Sequence, residues 1–249
     1  ARPVEARSRE LRGAVRAATP QQVQPADFDL AVLGMQESQY AEAEVRQLMQ
    51  RIARAHIPCL PIMNMPPLAY LRRIPSLDAD ALRGCYADAS VWDAFDPELV
   101  TLASPDPQAF RPVGEGKNVL QVGLPTNFKA GRFPGGAATA LLRRVGADIE
   151  AGRVVVDGES LELPVKLKVH ESPFVPLAKW PMLLTGNYRC IRAEGGMVPI
   201  QQAVHADLAL SGEIYEWVVQ LCCRLGAEPA DLVPFEKYAA AAASLLKPS

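Results

Sequence analysis

Residues 26–67, ADFDLAVLGMQESQYAEAEVRQLMQRIARAHIPCLPIMNMPP, read as strand, helix, strand, and end on a lone polar residue, Asn64. Leu30, Ala31, Val32 and Leu33 form a short apolar run behind Asp27 and Asp29, the pattern of a strand buried on both faces. A helix is predicted from about Ala41, where Val45, Leu48, Met49 and Ile52 recur at helical spacing while Glu42, Glu44, Arg46, Gln47 and Arg51 take the opposite face. Pro58 blocks its continuation, and residues 59–63 are a second buried strand. Strand, covering helix and strand imply a parallel pair with a right-handed crossover. In open sheets of this kind ligands lie beyond the carboxyl ends of the strands, and Asn64 is at such an end.

Outward from this unit, 249 residues with 49% apolar side chains are enough for one large domain or two small ones. The formal net charge of −2 provides no global field to draw in nucleic acid or an anionic membrane, so neither is expected as a partner. No run approaches the roughly 18 apolar residues of a membrane span, and the Arg-rich amino terminus has no apolar segment behind it. With five cysteines, odd in number and without paired spacing, a cytoplasmic protein with buried free thiols is expected.

Residues 1–25 read as a polar helix-like piece followed by a short strand and a Pro-marked turn. Residues 76–117 are rich in Asp and Pro with aromatics spaced through them, and are expected to be a folded connector with little regular structure. A β-rich section follows, with strands predicted at 118–124 and 165–169 and a hairpin at 153–163 around Asp157-Gly158. A helix at 137–151 starts behind Gly135 and Gly136. From Phe174 the pattern is helical, with a long helix at 204–225 stopped by Gly226 and Pro229 and a last one at 235–246. The expected domains are therefore an incomplete α/β part, 1–172, and an all-α part, 173–249. On the long helix Leu208, Tyr215, Val218, Val219 and Cys222 make an apolar stripe wide enough to predict a homodimer, the alternative being burial against the sheet domain of the same chain.

The familiar site signatures are missing from the sequence. Gly114-Glu115-Gly116 leads into a strand pattern rather than a helix, so it lacks the context of a phosphate loop. His56, His170 and His205 lie far apart, and no metal site is predicted. What remains are polar residues in apolar surroundings. Lys179 lies between Leu177, Trp180 and Leu183, where a lysine either snorkels to water or sits in a cleft with a lowered pKa. Asn187 follows eight positions on, near the same helix face. Glu213 and Glu216 lie on the long helix, where acidic residues are usually a solvated face. Asn64 is either a turn former before Pro66 or a ligand group.

Three stretches join these residues. ATPQQVQPADFDLAVLGMQESQYAEAEV, CLPIMNMPP and LAKWPMLLTGN resemble, in order, the fourth strand and helix, the Asn-terminated strand and the catalytic helix of the ketopantoate reductase family. That family consists of NADP-dependent oxidoreductases with an amino-terminal Rossmann domain and a helical carboxyl domain. The resemblance implies a partial Rossmann-like parallel sheet followed by an all-α domain, as though the chain began halfway through the Rossmann domain. It implies reduction of a small 2-keto acid, or oxidation of the 2-hydroxy acid, with Lys179 catalytic. Asn64 would touch nicotinamide and substrate, Asn187 would bind substrate, and Glu213 would match the family's acidic residue more loosely. The glycine loop has no counterpart, and Gly34 or Met35 stands where the family carries a cofactor-contacting lysine. The alternative is a degenerate, non-catalytic member that binds a small ligand or a partner subunit.

Overall fold

The computed structural model describes residues 16–104, 109–110, 113–114, 116, 121–122 and 126–248. The expected helix-like piece at the amino terminus, most of the strand at 118–124 and Glu115 of the glycine pair lie outside these residues. The chain is mixed α/β and divides into two compact units. One comprises Ala1–Arg73 and Ala79–His170; the other comprises Ile74–Asp78 and Glu171–Ser249.

In the first unit, strand β1 (Ala31–Leu33) pairs in parallel with β2 (Cys59–Pro61) across helix α1 (Ala43–Arg54). Met49, Ile52 and Ala53 are the buried face of α1, while Arg51 turns back to donate to the carbonyls of Pro20, Gln21 and Val23. The helix ends where His56 takes a left-handed φ of 52°, and Pro58 follows. After β2 comes the short helix α2 (Leu68–Leu71), and the connector then folds as 3-10 turns at Asp80–Cys85, Ala89–Trp92 and Pro97–Leu99. Trp92, fully buried, packs between Tyr40 and Phe95 at ring separations of 5.0 and 5.5 Å. On the connector's surface Arg72 and Arg83 share Asp93. These two guanidinium groups, Arg83 foremost, hold the Asp93 carboxyl down to about 2.

The connector is not wholly irregular, as its sequence implied. Residues 100–103 bridge in parallel to β2 through Cys59↔Val100 and Ile62↔Ala103. Strand β3 (Ala103–Ser104) is thereby the continuation of the sheet. A two-stranded ladder of β4 (Ala109–Phe110) and β5 (Gln121–Val122) follows. Strand β6 (Thr126–Gly131) runs antiparallel to β3, and after helix α3 (Gly136–Ala151) and a hairpin of β7 (Arg153–Val156) and β8 (Glu159–Glu162), strand β9 (Val165–His170) pairs with β6 in parallel. Hydrogen-bonded neighbours thus run β1, β2, β3, β6, β9. One face of this sheet packs Ala103, Ala130, Leu167 and Val169 around Leu142 of α3 and Phe133. The hairpin turn is the expected one: Asp157 and Gly158 both have positive φ, 52° and 81°, as a two-residue primed turn requires.

The second unit is helical. Helix α4 (Trp180–Met182) runs into a π turn (Leu183–Asn187) and a 3-10 turn (Tyr188–Cys190), followed by α5 (Ile200–His205), α6 (Leu208–Leu225) and α7 (Phe235–Ala242). The single helix predicted at 204–225 is in fact two. Asp207 is extended, at φ −145° and ψ 94°, and its carboxylate accepts the Leu210 N–H at 2.9 Å, so it starts a helix rather than continuing one. Gly226, at φ 115°, ends α6 with its N–H and that of Ala227 bonded back to Cys223 and Cys222. The last helix stops at Ala242, short of 246. Of the apolar stripe, Tyr215 is buried against Cys190, Val204 and Tyr238 with Val219 partly buried on the same cluster, Val218 and Cys222 are buried too, and Leu208 is exposed.

All five cysteines are free. Cys59, Cys190 and Cys222 are buried, and burial pushes the Cys59 thiol up to about 12 and that of Cys222 up to about 11. A thiol of that kind exposes on the order of one thiolate in a thousand or fewer at pH 8. Titration of the native chain with an aromatic disulfide should therefore modify Cys85 first and Cys223 more slowly, with the three buried thiols reacting only after unfolding. Rapid reaction of all five in the native state would contradict this packing.

Candidate functional site

Asn64 occupies a bend just past the β2 ladder. The last pairing bonds run from Ile62 N–H to the Leu33 carbonyl at 2.8 Å and from Met63 N–H to the Ala103 carbonyl at 3.3 Å, so the chain leaves the sheet at Asn64. Pro66 and Pro67 hold the exit extended, and the Tyr86 hydroxyl donates to the Pro66 carbonyl at 2.7 Å. The Asn64 side-chain oxygen is buried without a hydrogen-bond partner among the described residues. An amide oxygen in that state costs about 1–3 kcal/mol, which a donor arriving from outside would recover.

Beside it, the β1 end carries Gly34 and Met35. They form part of an apolar groove of about 450 Å³ that also takes in Phe28, Leu30, Val32 and Leu48. The groove presents no ionisable side chain. The turn that follows β1 is closed by its own residues. The Gln39 side chain accepts from the Gln36 N–H at 2.9 Å, and the Gln39 N–H donates to the Gln36 carbonyl at 3.1 Å, which closes the 3-10 turn Glu37–Ala41. The sequence reading missed this closure, because Gln36 is not one of the Ser, Thr, Asp or Asn residues that mark a helix start.

Lys179 and Asn187 share one helical segment of the second unit, and both are half-buried. The Lys179 carbonyl accepts the Leu183 N–H at 2.8 Å as in an α-helix, after which the π turn widens the coil. Eight residues of pure α-helix overshoot two full turns by about 80°. Because a π turn takes up more residues per revolution, the five residues from Leu183 to Asn187 reduce that overshoot and bring Asn187 closer to the face of Lys179. The Met182 carbonyl, at the start of this widened turn, accepts from the Tyr238 hydroxyl at 3.2 Å. Thr185, also in the π turn, is fully buried, and its hydroxyl has no partner among the described residues.

Glu213 is exposed on α6 and forms no ion pair among the described residues. Ser211, also on α6, accepts from Arg189 at 2.7 Å and donates to the Val204 carbonyl at 2.7 Å. The sequence offered no signal for that pair beyond a small polar residue in an otherwise apolar helix. Among the described residues no group of His, Cys, Asp and Glu could hold a metal, and no helix is long and apolar enough to cross a membrane. Comparison with family models, with curated proteins and with solved structures finds no match.

Proposed function

We propose that the chain is a ketopantoate-reductase-like oxidoreductase whose residues hold a small 2-keto or 2-hydroxy acid. The observation that carries this reading is the buried, unpartnered acceptor of Asn64 at the carboxyl end of a parallel strand, where a ligand hydroxyl or amide would complete it. In the proposed roles Lys179 donates a proton to the oxygen on C2 and Asn187 orients the acid. A homodimer would use the exposed Leu210 and Trp217 of α6, because the Tyr215 stripe is already covered.

NADP is the cofactor this reading calls for, and the described residues fit it only at one end. Asn64 offers an acceptor for a nicotinamide amide. A pyrophosphate needs a cluster of open N–H groups, and the turn after β1 spends its own on Gln36 and Gln39. The same closed turn favours a second reading, a non-catalytic member that binds the acid alone.

Titration separates the two. Under either reading a 2-keto or 2-hydroxy acid such as ketopantoate or pantoate should raise the thermal midpoint, and Lys179→Ala or Asn187→Ala should remove the response. NADPH fluorescence should show affinity weaker than low micromolar, since each missing charge-assisted phosphate contact forfeits roughly 1.5–3 kcal/mol. Tight NADPH binding with turnover, reduced about 100-fold or more in Lys179→Ala, would establish the enzyme and discard the non-catalytic reading. No response to any such acid would remove both.

A further inference from the structure

The parallel pairing of β6 and β9 sets Lys129 directly opposite Lys168, and the antiparallel pairing of β3 and β6 sets Ser104 opposite Lys129. Side chains alternate across a strand, and Phe128, Ala130, Leu167 and Val169 are committed to the α3 face. Ser104, Lys129 and Lys168 therefore form one lateral row on the other face: a hydroxyl, an ammonium and a second ammonium on three adjacent strands. Along this row burial falls from Ser104, 2% exposed, through half-buried Lys129 to exposed Lys168.

Like charges directly opposite one another destabilise a sheet, and a sequence normally answers them with an acidic neighbour. Lys166, one step along β9, has such an answer in Glu150 at 3.7 Å. Among the described ion pairs, none involves Lys129 or Lys168. Adjacent strands lie about 4.8 Å apart, so both ammonium groups can reach one multiply charged oxyanion, with the partial burial of Lys129 reducing its screening by salt.

We propose that Ser104, Lys129 and Lys168 form a binding site for the phosphate or pyrophosphate group of a small molecule. Two cations and a hydroxyl match the charge and several acceptor oxygens of such a group, whereas one carboxylate would leave a cation unanswered. A net charge of −2 and a row only three residues wide disfavour an extended polyanion such as nucleic acid. The site is separate from the keto-acid reading and does not rest on it.

Isothermal titration of the whole chain with sodium pyrophosphate tests the proposal. The wild type should saturate, Lys129→Gln and Lys168→Gln should each weaken binding roughly tenfold, and the double variant should not bind measurably. Lys237→Gln, an exposed lysine on α7, should bind as the wild type does. Without pyrophosphate, Lys168→Gln should be at least as heat-stable as the wild type, because it relieves a like-charge pair; this distinguishes lost binding from lost folding. A wild type that does not saturate, a double variant that still binds, or a Lys237→Gln that loses as much would each overturn the site.

Discussion

Alanine at Gly146 should destabilise the sheet-bearing unit by about 2–3 kcal/mol, even though alanine is the better helix former by about 1 kcal/mol. Gly146 is a buried residue of α3, and a Cβ placed on it would lie 2.7 Å from the backbone oxygen of Leu167 in β9. The obstacle is a carbonyl fixed in the β6–β9 ladder, so it cannot swing aside as a side chain would. The helix must lift from the sheet, opening the contact of Leu142 with Phe128, Ala130 and Leu167. Urea unfolding followed by circular dichroism should show a lowered midpoint, and Gly146→Val should lower it further. A midpoint raised by the alanine would mean that α3 does not lie this close to β9.

The second large effect is expected at Gly186, in the π turn. A Cβ there would overlap the Tyr238 hydroxyl, which donates to the Met182 carbonyl. Tyr238 cannot withdraw easily, because its ring is buried and stacked on Tyr215 at a centroid separation of 5.4 Å. Gly186→Ala should therefore break this hydroxyl–carbonyl bond, at a cost of about 1–3 kcal/mol before any repacking. The matched control is Tyr238→Phe, which removes the hydroxyl but leaves the space. If the contact is as described, Gly186→Ala is strongly destabilising in the wild type and much milder combined with Tyr238→Phe. Additive effects of the two substitutions would show that the glycine is needed for some other reason.

What could be read from the sequence was local. Pro58, the apolar period of residues 45–52 and the Asp157-Gly158 pair each act over a few residues, and they led to β1, α1, β2 and the hairpin. The continuation of the sheet through residues 100–104 was hidden because it is held by partners some forty residues upstream and thirty downstream, and it lies in a segment whose composition reads as irregular. The break at Asp207 was missed because an aspartate inside an apolar period looks like surface until its carboxylate is seen to cap Leu210. The site was legible only as residue types. That Asn64 ends its strand with an unsatisfied oxygen, that a π turn lies between Lys179 and Asn187, and that Gln36 and Gln39 close the turn after β1 are all matters of hydrogen-bond placement. No periodicity records them.

The hairpin between α3 and β9 has a practical consequence as well. Its two strands bond to one another, its base is closed where Leu163 lies against Gly152, and its tip is the exposed Asp157-Gly158 turn. Extra chain spliced in at that tip would lengthen only the ribbon's own loop, for which each doubling costs about 0.6 kcal/mol. The β6–α3–β9 connection would keep its geometry. The tip is thus a natural port for a reporter, an affinity tag or new chain termini, attached to the sheet unit without touching Asn64 or the lysine row.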